Sequence, residues 1–423
     1  MKVRHLVASA LTVAVAIALT GCGDSKSEES AEAKDLTVWL MTGTVPDPVL
    51  KQINTDWESA HKGAKVKVEI QGWEGIGPKI TTALGSNTPP DVVEIGNTLT
   101  AGFADSKGLK DLTDKKGDLG GDDWNKGLEE SGTVDGKLYG VPFYAGCRVV
   151  LYNTDEWAAA GLKETPKTLD ELTAAATALQ AKKAGVKDYS GFYVPGKYWY
   201  QSMSFVFGHG GKIAEKDGDK WVGKLSSPES IKGLEAYKAL AEKTSKAPKD
   251  ATEADPQQFS ALAAGKAGMI YDATWQVGSI EKENPKLAGK IGSFALPGVS
   301  ADKALPAFLG GSNLAIPAAS KNSGAYDYLK LLATAKYQQQ LVDQAGLLPN
   351  TNALLATAKA NPKIAPAAAA AEAGWFVPNS PNWGAVESSN VLTDLTVSIF
   401  TGKKSVADAA KAADEVIAAK LNG

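Results

Sequence analysis

The chain predicts an α/β fold, on three observations. From Leu36 onward short β-rich runs and helical runs take turns, the order that builds a mostly parallel sheet with helices on both faces. About 400 residues follow an apolar N-terminal stretch, enough for two or more domains with a large buried core. No internal repeat of fixed period is present.

In chain order, Leu36-Thr37-Val38-Trp39-Leu40 reads as a buried strand. Val49 to His61 carries apolar residues at helical spacing, after which Val66, Val68 and Ile70 alternate as a strand does. Ile76 to Leu84 predicts a second helix, and Val92-Val93-Glu94-Ile95 a strand after Pro89-Pro90-Asp91. Asp135-Gly136 signals a turn before two β-rich runs, Leu138 to Val141 and Arg148 to Tyr152. Leu169 to Lys183 is Ala-rich and helical, with Thr168 and Glu171 spaced as a capping box. Helices are predicted over Ser230 to Lys243 and Asp255 to Ala264. Short strands are predicted over Gly268 to Tyr271 and over Phe308 to Ile316, the latter broken by Gly310-Gly311. From Gly324 the chain is largely helical and Ala-rich, ending in the amphipathic Val406 to Leu421.

At the N-terminus, Lys2 and Arg4 precede an apolar stretch from Leu6 to Thr20. Its length of about 15 residues falls short of the roughly 20 that span a bilayer, and its make-up is that of a secretory signal. Leu19-Thr20-Gly21-Cys22, an apolar residue, two small ones and a cysteine, resembles the lipobox of bacterial lipoproteins. Removal of residues 1–21 would leave Cys22 as an acylated N-terminus, and each buried CH₂ of the acyl chains contributes roughly 0.8 kcal/mol of membrane affinity. Residues 22–34 are small, polar and charged, the composition of a flexible tether. The expected location is the outer face of the cell membrane, anchored by lipid.

Composition narrows the function. A net charge of -3 offers no overall field for nucleic acid. Cys147 is the only other cysteine, so the mature chain has no intramolecular disulfide, and Cys147 reads as a small buried apolar residue. Arg148 is the only arginine beyond the signal, and suits either a structural ion pair or a ligand contact.

The chain has no HExxH, GxSxG or CxxC and, beyond the signal, only His61 and His209, which supports neither triad nor zinc chemistry. No metal and no cofactor are expected, since no P-loop or GxGxxG opens a helix after the early strands either. A glycosidase needs only two carboxylates about 5 to 10 Å apart, and Glu69, Glu74, Asp91, Glu94 and Asp272 could supply such a pair. The ten Trp and twelve Tyr say more. Tyr198-Trp199-Tyr200, Trp275, Trp375 and Trp383 stand among turn residues, and flat aromatic faces beside hydrogen-bonding groups are what a sugar site requires. Trp39 and Trp157, inside regular runs, read as core.

An ordered set of motifs carries a resemblance. Pro90-Asp91-Val92-Val93 with Gly96-Asn97 comes first, then Gly136-Lys137-Leu138-Tyr139-Gly140-Val141-Pro142 with Tyr152-Asn153. Gly265-Lys266-Ala267-Gly268-Met269-Ile270 with Trp275, Gly310-Gly311-Ser312-Asn313-Leu314-Ala315-Ile316 and Pro349-Asn350 complete it. Together they resemble the family 1 extracellular solute-binding proteins of carbohydrate ABC importers, over essentially the whole mature chain.

The resemblance implies a two-lobed fold of the maltose-binding-protein type (type II), with ligand held in the cleft between lobes. It implies crossings near Ala145 to Val149, Ala304 to Phe308 and Leu348 to Thr351. Lobe 1 would be residues 35–146 plus 305–349, and lobe 2 residues 147–304 plus 350–423. Trp275 matches a sugar-stacking position, Asn97 and Thr98 the place where relatives hold sugar hydroxyls, and Arg148 the hinge and cleft. Thr42, Trp73, Glu74, Trp199, Tyr200, Asn313, Trp375 and Trp383 fall in segments that reach the cleft in relatives. The implied function is to capture an oligosaccharide, without catalysis, and to pass it to the transmembrane subunits of an ABC permease as a monomer. Chitobiose is the leading ligand, with cellobiose- and maltose-type sugars as alternatives, and an exported glycoside hydrolase or a binder of a non-sugar solute as the rival readings.

Overall fold

The computed structural model describes residues 34–73, 75–252, 257–362, 364–372 and 374–423. The signal, Cys22, most of the tether and Glu74 lie outside the described residues.

Two sheets carry the fold. Their strands are β1 (Leu36–Met41), β2 (Val66–Gln71), β3 (Val92–Gly96), β4 (Val141–Gly146), β5 (Arg148–Asn153), β6 (Ser190–Tyr193), β7 (Ala267–Ala273), β8 (Ile291–Phe294) and β9 (Gly310–Ala315). The orders are β2-β1-β3-β9-β4 and β8-β5-β7-β6. β1 pairs in parallel with β2 and β3, whereas β9 is antiparallel to β3 and β4. In the second sheet β7 and β6 are parallel, and β5 is antiparallel to both β7 and β8. Most strands of each sheet share one direction, as the alternation predicts, and each sheet has one reversed strand, β9 in the first and β5 in the second.

Both reversed strands follow a passage from one sheet to the other. The chain leaves β4 and enters β5 through the single residue Cys147, and it leaves β8 and enters β9 through residues 295–309. Cys147 is 2% exposed, and burial pushes its thiol up to about 12, so it stays protonated and packs as an apolar group. β3, β4 and β7 are buried along nearly their whole length, as strands covered on both faces must be.

Helices cover these strands through apolar stripes. α1 (Asp47–Ala60) starts at a proline-led first turn and buries Val49, Ile53 and Trp57, four residues apart. Trp57 Nε1 donates to the Gly324 carbonyl at 3.0 Å, and a Cβ on Gly324 would come within 2.6 Å of the indole, so this approach requires glycine. α2 (Ile76–Leu84) packs Ile76 and Ile80 inward. In α3 (Leu169–Lys182) Thr168 Oγ1 accepts from Glu171 N at 3.2 Å, but Glu171 Oε2 accepts from Lys167 N at 2.7 Å, one residue earlier than a capping box closes. α4 (Trp199–Gly208), α5 (Gln276–Glu283), α6 (Trp383–Ser388) and α7 (Val406–Leu421) follow. Among the described residues, no helix is long and apolar enough to cross a membrane.

Smaller corrections have local causes. The run predicted over Leu138 to Val141 splits, Lys137–Leu138 pairing with Thr133–Val134 while β4 begins at Val141. Gly140 lies between them, where a Cβ would come within 2.9 Å of Thr100 and Asn313. The helix predicted over Asp255 to Ala264 is observed as Gln258–Ala263. Trp39 is half-buried rather than core, its Nε1 donating to Glu69 Oε2 at 2.9 Å beside the Lys79 ammonium.

Candidate functional site

Strand direction decides where loops converge. The strands of the first sheet that share a direction end at one edge, and the segments after them, Thr42 to Thr44, Trp73 and Gly96 to Leu99, meet there with Tyr144 and Gly146 at the end of β4. The reversed strands present their first residues to the same place, Arg148 opening β5 and Gly310-Gly311 opening β9. Trp275, at the N-cap of α5 just beyond β7, Tyr200 in the first turn of α4 and Glu387 on α6 complete a cavity of about 530 Å³.

Two tryptophans define its character. Trp73 is 42% and Trp275 44% exposed, and among the described residues they are the large aromatics left open to solvent. Each lies against a glycine: a Cβ on Gly96 would sit 3.7 Å from the Trp73 ring, and one on Gly146 only 3.0 Å from the Trp275 ring. The indole faces are therefore placed by bare backbone. Burying an exposed apolar face of this size is unfavourable to forgo, at about 25 cal/mol per Å². Two exposed indoles in one cavity suit a flat apolar partner.

Arg148 extends the aromatic wall. Its guanidinium carbon stands 4.4 Å from the Tyr200 ring centroid and 5.8 Å from that of Tyr198, within cation–π range. Tyr200 in turn packs on Phe308, 4.9 Å between centroids.

Polar groups also line the cavity. Asn97 donates from Nδ2 to the Leu309 carbonyl at 3.0 Å, while its backbone N–H bonds the Gly311 carbonyl at 3.0 Å, so this residue pins the β3 loop to the start of β9. Thr98 Oγ1 lies 3.5 Å from Glu387 Oε2. Beneath the cavity Glu94 is 1% exposed and accepts from Met41 N at 2.8 Å, Thr44 Oγ1 at 3.0 Å and Ser312 Oγ at 2.8 Å. Tyr144 OH stands 3.1 Å from Ser312 Oγ. Burial pushes both the Glu94 carboxyl and the Tyr144 phenol up. This network holds Thr44 and Tyr144 at the cavity edge.

The structure thus brings Thr42, Trp73, Asn97, Thr98, Arg148, Tyr200 and Trp275 together. It places four other candidates elsewhere. Trp199 stacks on the far side of Tyr200 at 3.9 Å, and Trp383 is 1% exposed within an apolar cluster. Trp375 donates from Nε1 to Ser204 Oγ at 3.3 Å and borders a separate cavity of about 380 Å³ with Phe207 and Lys303. Asn313 is fully buried, its Nδ2 bonded to Thr100 and Ser131. Tyr144, Phe308, Leu347 and Glu387 line the cavity without having been candidates. Of the carboxylates considered for a glycosidase, Glu69 pairs with Lys67, Asp91 accepts from Thr37 N and Ser320 Oγ, and Glu94 and Asp272 are buried. Among the described residues Glu387 is the one carboxylate on the cavity wall.

Known proteins share this sequence and this fold. The profile of the bacterial extracellular solute-binding proteins matches residues 40–339. The chain is 41% identical over 418 residues to the diacetylchitobiose binding protein DasA of Streptomyces coelicolor, with 96% of both chains covered. It superposes on the GacH receptor of Streptomyces glaucescens with a TM-score of 0.78 at 21% identity, covering 92% of this chain and 99% of that one. A Thermotoga lettingae solute-binding protein bound with α-D-tagatose gives 0.76 at 26% identity, covering 92% and 100%. The chain belongs to the bacterial extracellular solute-binding proteins, exported proteins that here share the two-lobed α/β fold of maltose-binding-protein-like relatives.

Proposed function

We propose that this protein captures a short oligosaccharide in the 530 Å³ cavity and delivers it to an ABC permease, with a chitobiose-type disaccharide as the leading ligand. The observation that carries the reading is the pair of open tryptophan faces, Trp73 and Trp275, in one cavity with Asn97, Thr98 and Arg148. Sugar rings offer apolar C–H faces to indoles and hydroxyls to the polar side, so both kinds of surface are matched. The 41% identity to a diacetylchitobiose binding protein supports this choice among sugars.

In this reading residues 35–146 plus 305–349 form one lobe and residues 147–304 plus 350–423 the other, with the chain passing between them at Cys147. Closure of the lobes would sandwich the ligand, with binding energy biasing the closed state. Cys22 would carry the lipid that holds the monomeric receptor at the membrane. The role is recognition without turnover. Calorimetric titration of the purified protein with N,N′-diacetylchitobiose, cellobiose and maltose tests it: one saturable site for one series is expected, with the sugar recovered intact. Cleaved sugar would favour a hydrolase, and no heat with any sugar would sink the carbohydrate reading.

A further inference from the structure

Glu387 has no part in the binding scheme above, yet it faces the cavity. It is half-buried on α6, where Thr98 Oγ1 approaches it at a long 3.5 Å and the Trp383 indole N–H of the same helix also faces it. Among the described residues it makes no ion pair, and the cation on the same cavity, Arg148, is turned onto the Tyr198 and Tyr200 rings. A carboxylate offers about four acceptor positions, so two neutral donors leave part of its capacity unused. Desolvation pushes its pKa up, the mark of an anion held without full compensation. The groups able to compensate it are a hydroxyl or an N–H donor from the ligand, and a charged donor does so most strongly because charge-assisted hydrogen bonds are about twice as strong as neutral ones. The exposed indoles of Trp73 and Trp275 in the same cavity also attract a cation.

We propose that Glu387 makes the cleft receptive to a cationic amino sugar, a short oligosaccharide bearing a free ammonium in place of a ring hydroxyl or acetamide. The ammonium would donate to the Glu387 carboxylate while the ring stacks on tryptophan. This inference rests on the oligosaccharide reading and widens its ligand class from neutral to cationic sugars.

The β-1,4-linked glucosamine dimer and cellobiose test it, since they differ by ammonium against hydroxyl at the second ring carbon. Titrations are run at about pH 6, below the range of roughly 7.7–8.0 typical of such amines. The glucosamine dimer is expected to bind about tenfold more tightly than cellobiose, and Glu387→Gln to bring that ratio below about threefold. Equal affinities for the two sugars in the parent protein overturn the proposal whether or not the variant folds, as does a preference that survives Glu387→Gln. A neutral sugar bound without any preference for the amine sinks this inference alone. Failure of these two sugars and of diacetylchitobiose to bind sinks the oligosaccharide reading with it.

Discussion

Two glutamates, Glu94 buried behind the cavity lining and Glu387 on the cavity wall, both have carboxyls pushed up by burial, and they are held in different ways. Behind the lining, Glu94 gathers a backbone N–H from the end of β1 and two hydroxyls, from the loop after β1 and from Ser312 within β9. On the wall, Glu387 has only side-chain donors, a long 3.5 Å contact from Thr98 and the Trp383 indole N–H, and no backbone N–H or charged partner among the described residues. A saturated buried acid is part of the scaffold, because removing it strands its donors. An unsaturated one leaves acceptor capacity for a partner from outside. Tryptophans divide in the same manner: Trp57 and Trp383 are enclosed, whereas Trp73 and Trp275 wait uncovered.

The contrast is broken most directly at the glutamates. Glu94→Ala is expected to lower the unfolding free energy by about 2–4 kcal/mol, and Glu387→Ala by less than about 1 kcal/mol, as read from denaturant melts. Equal losses would erase the distinction. At the tryptophans the order reverses. Trp275→Ala and Trp73→Ala should each weaken sugar binding by about 1–3 kcal/mol in calorimetry while moving unfolding by no more than about 0.5 kcal/mol, since both side chains are open in the free protein.

Titration sharpens the view of Glu94. The folded state holds the proton on Glu94 more tightly than the unfolded chain does, so its contribution is complete below the unfolded range near pH 4.3 (about) and is lost as pH rises through the raised value. Melts of the parent against Glu94→Gln across that window should show the variant gaining relative stability as pH rises, and a constant difference would contradict the raised carboxyl. The smallest effect is expected at the glycines. Gly146→Ala, with its Cβ 3.0 Å from the Trp275 ring, should weaken binding about threefold to tenfold, whereas Gly96→Ala, at 3.7 Å from Trp73, should change it less than about twofold.

Local pattern was enough to read β1 through β3 and α1 and α2, where apolar residues recur at strand or helix period. Trp275 stood out among turn residues and Arg148 as the only arginine beyond the signal, while their expected place at a cleft came from the family resemblance. Strand direction was not legible, because β5 and β9 have the same alternation whichever way they run, and their reversal comes from passages between sheets. Nor could aromatic residues near turns be sorted. Trp375 and Trp383 look in sequence like Trp275, and only packing against Phe207 and α7 encloses them. Glu387 sits in an ordinary helical stretch, and its place at the cavity depends on a contact with Thr98, 289 residues away.

Sugar capture, in the proposed function, falls to Trp73 and Trp275 together in one cavity. Its most direct test is calorimetric titration of N,N′-diacetylchitobiose into the parent protein and into the Trp73→Ala/Trp275→Ala double variant, with melts to show that both are folded. A saturable single site in the parent, lost in the folded double variant, is the predicted result. Parental affinity in that variant would contradict it.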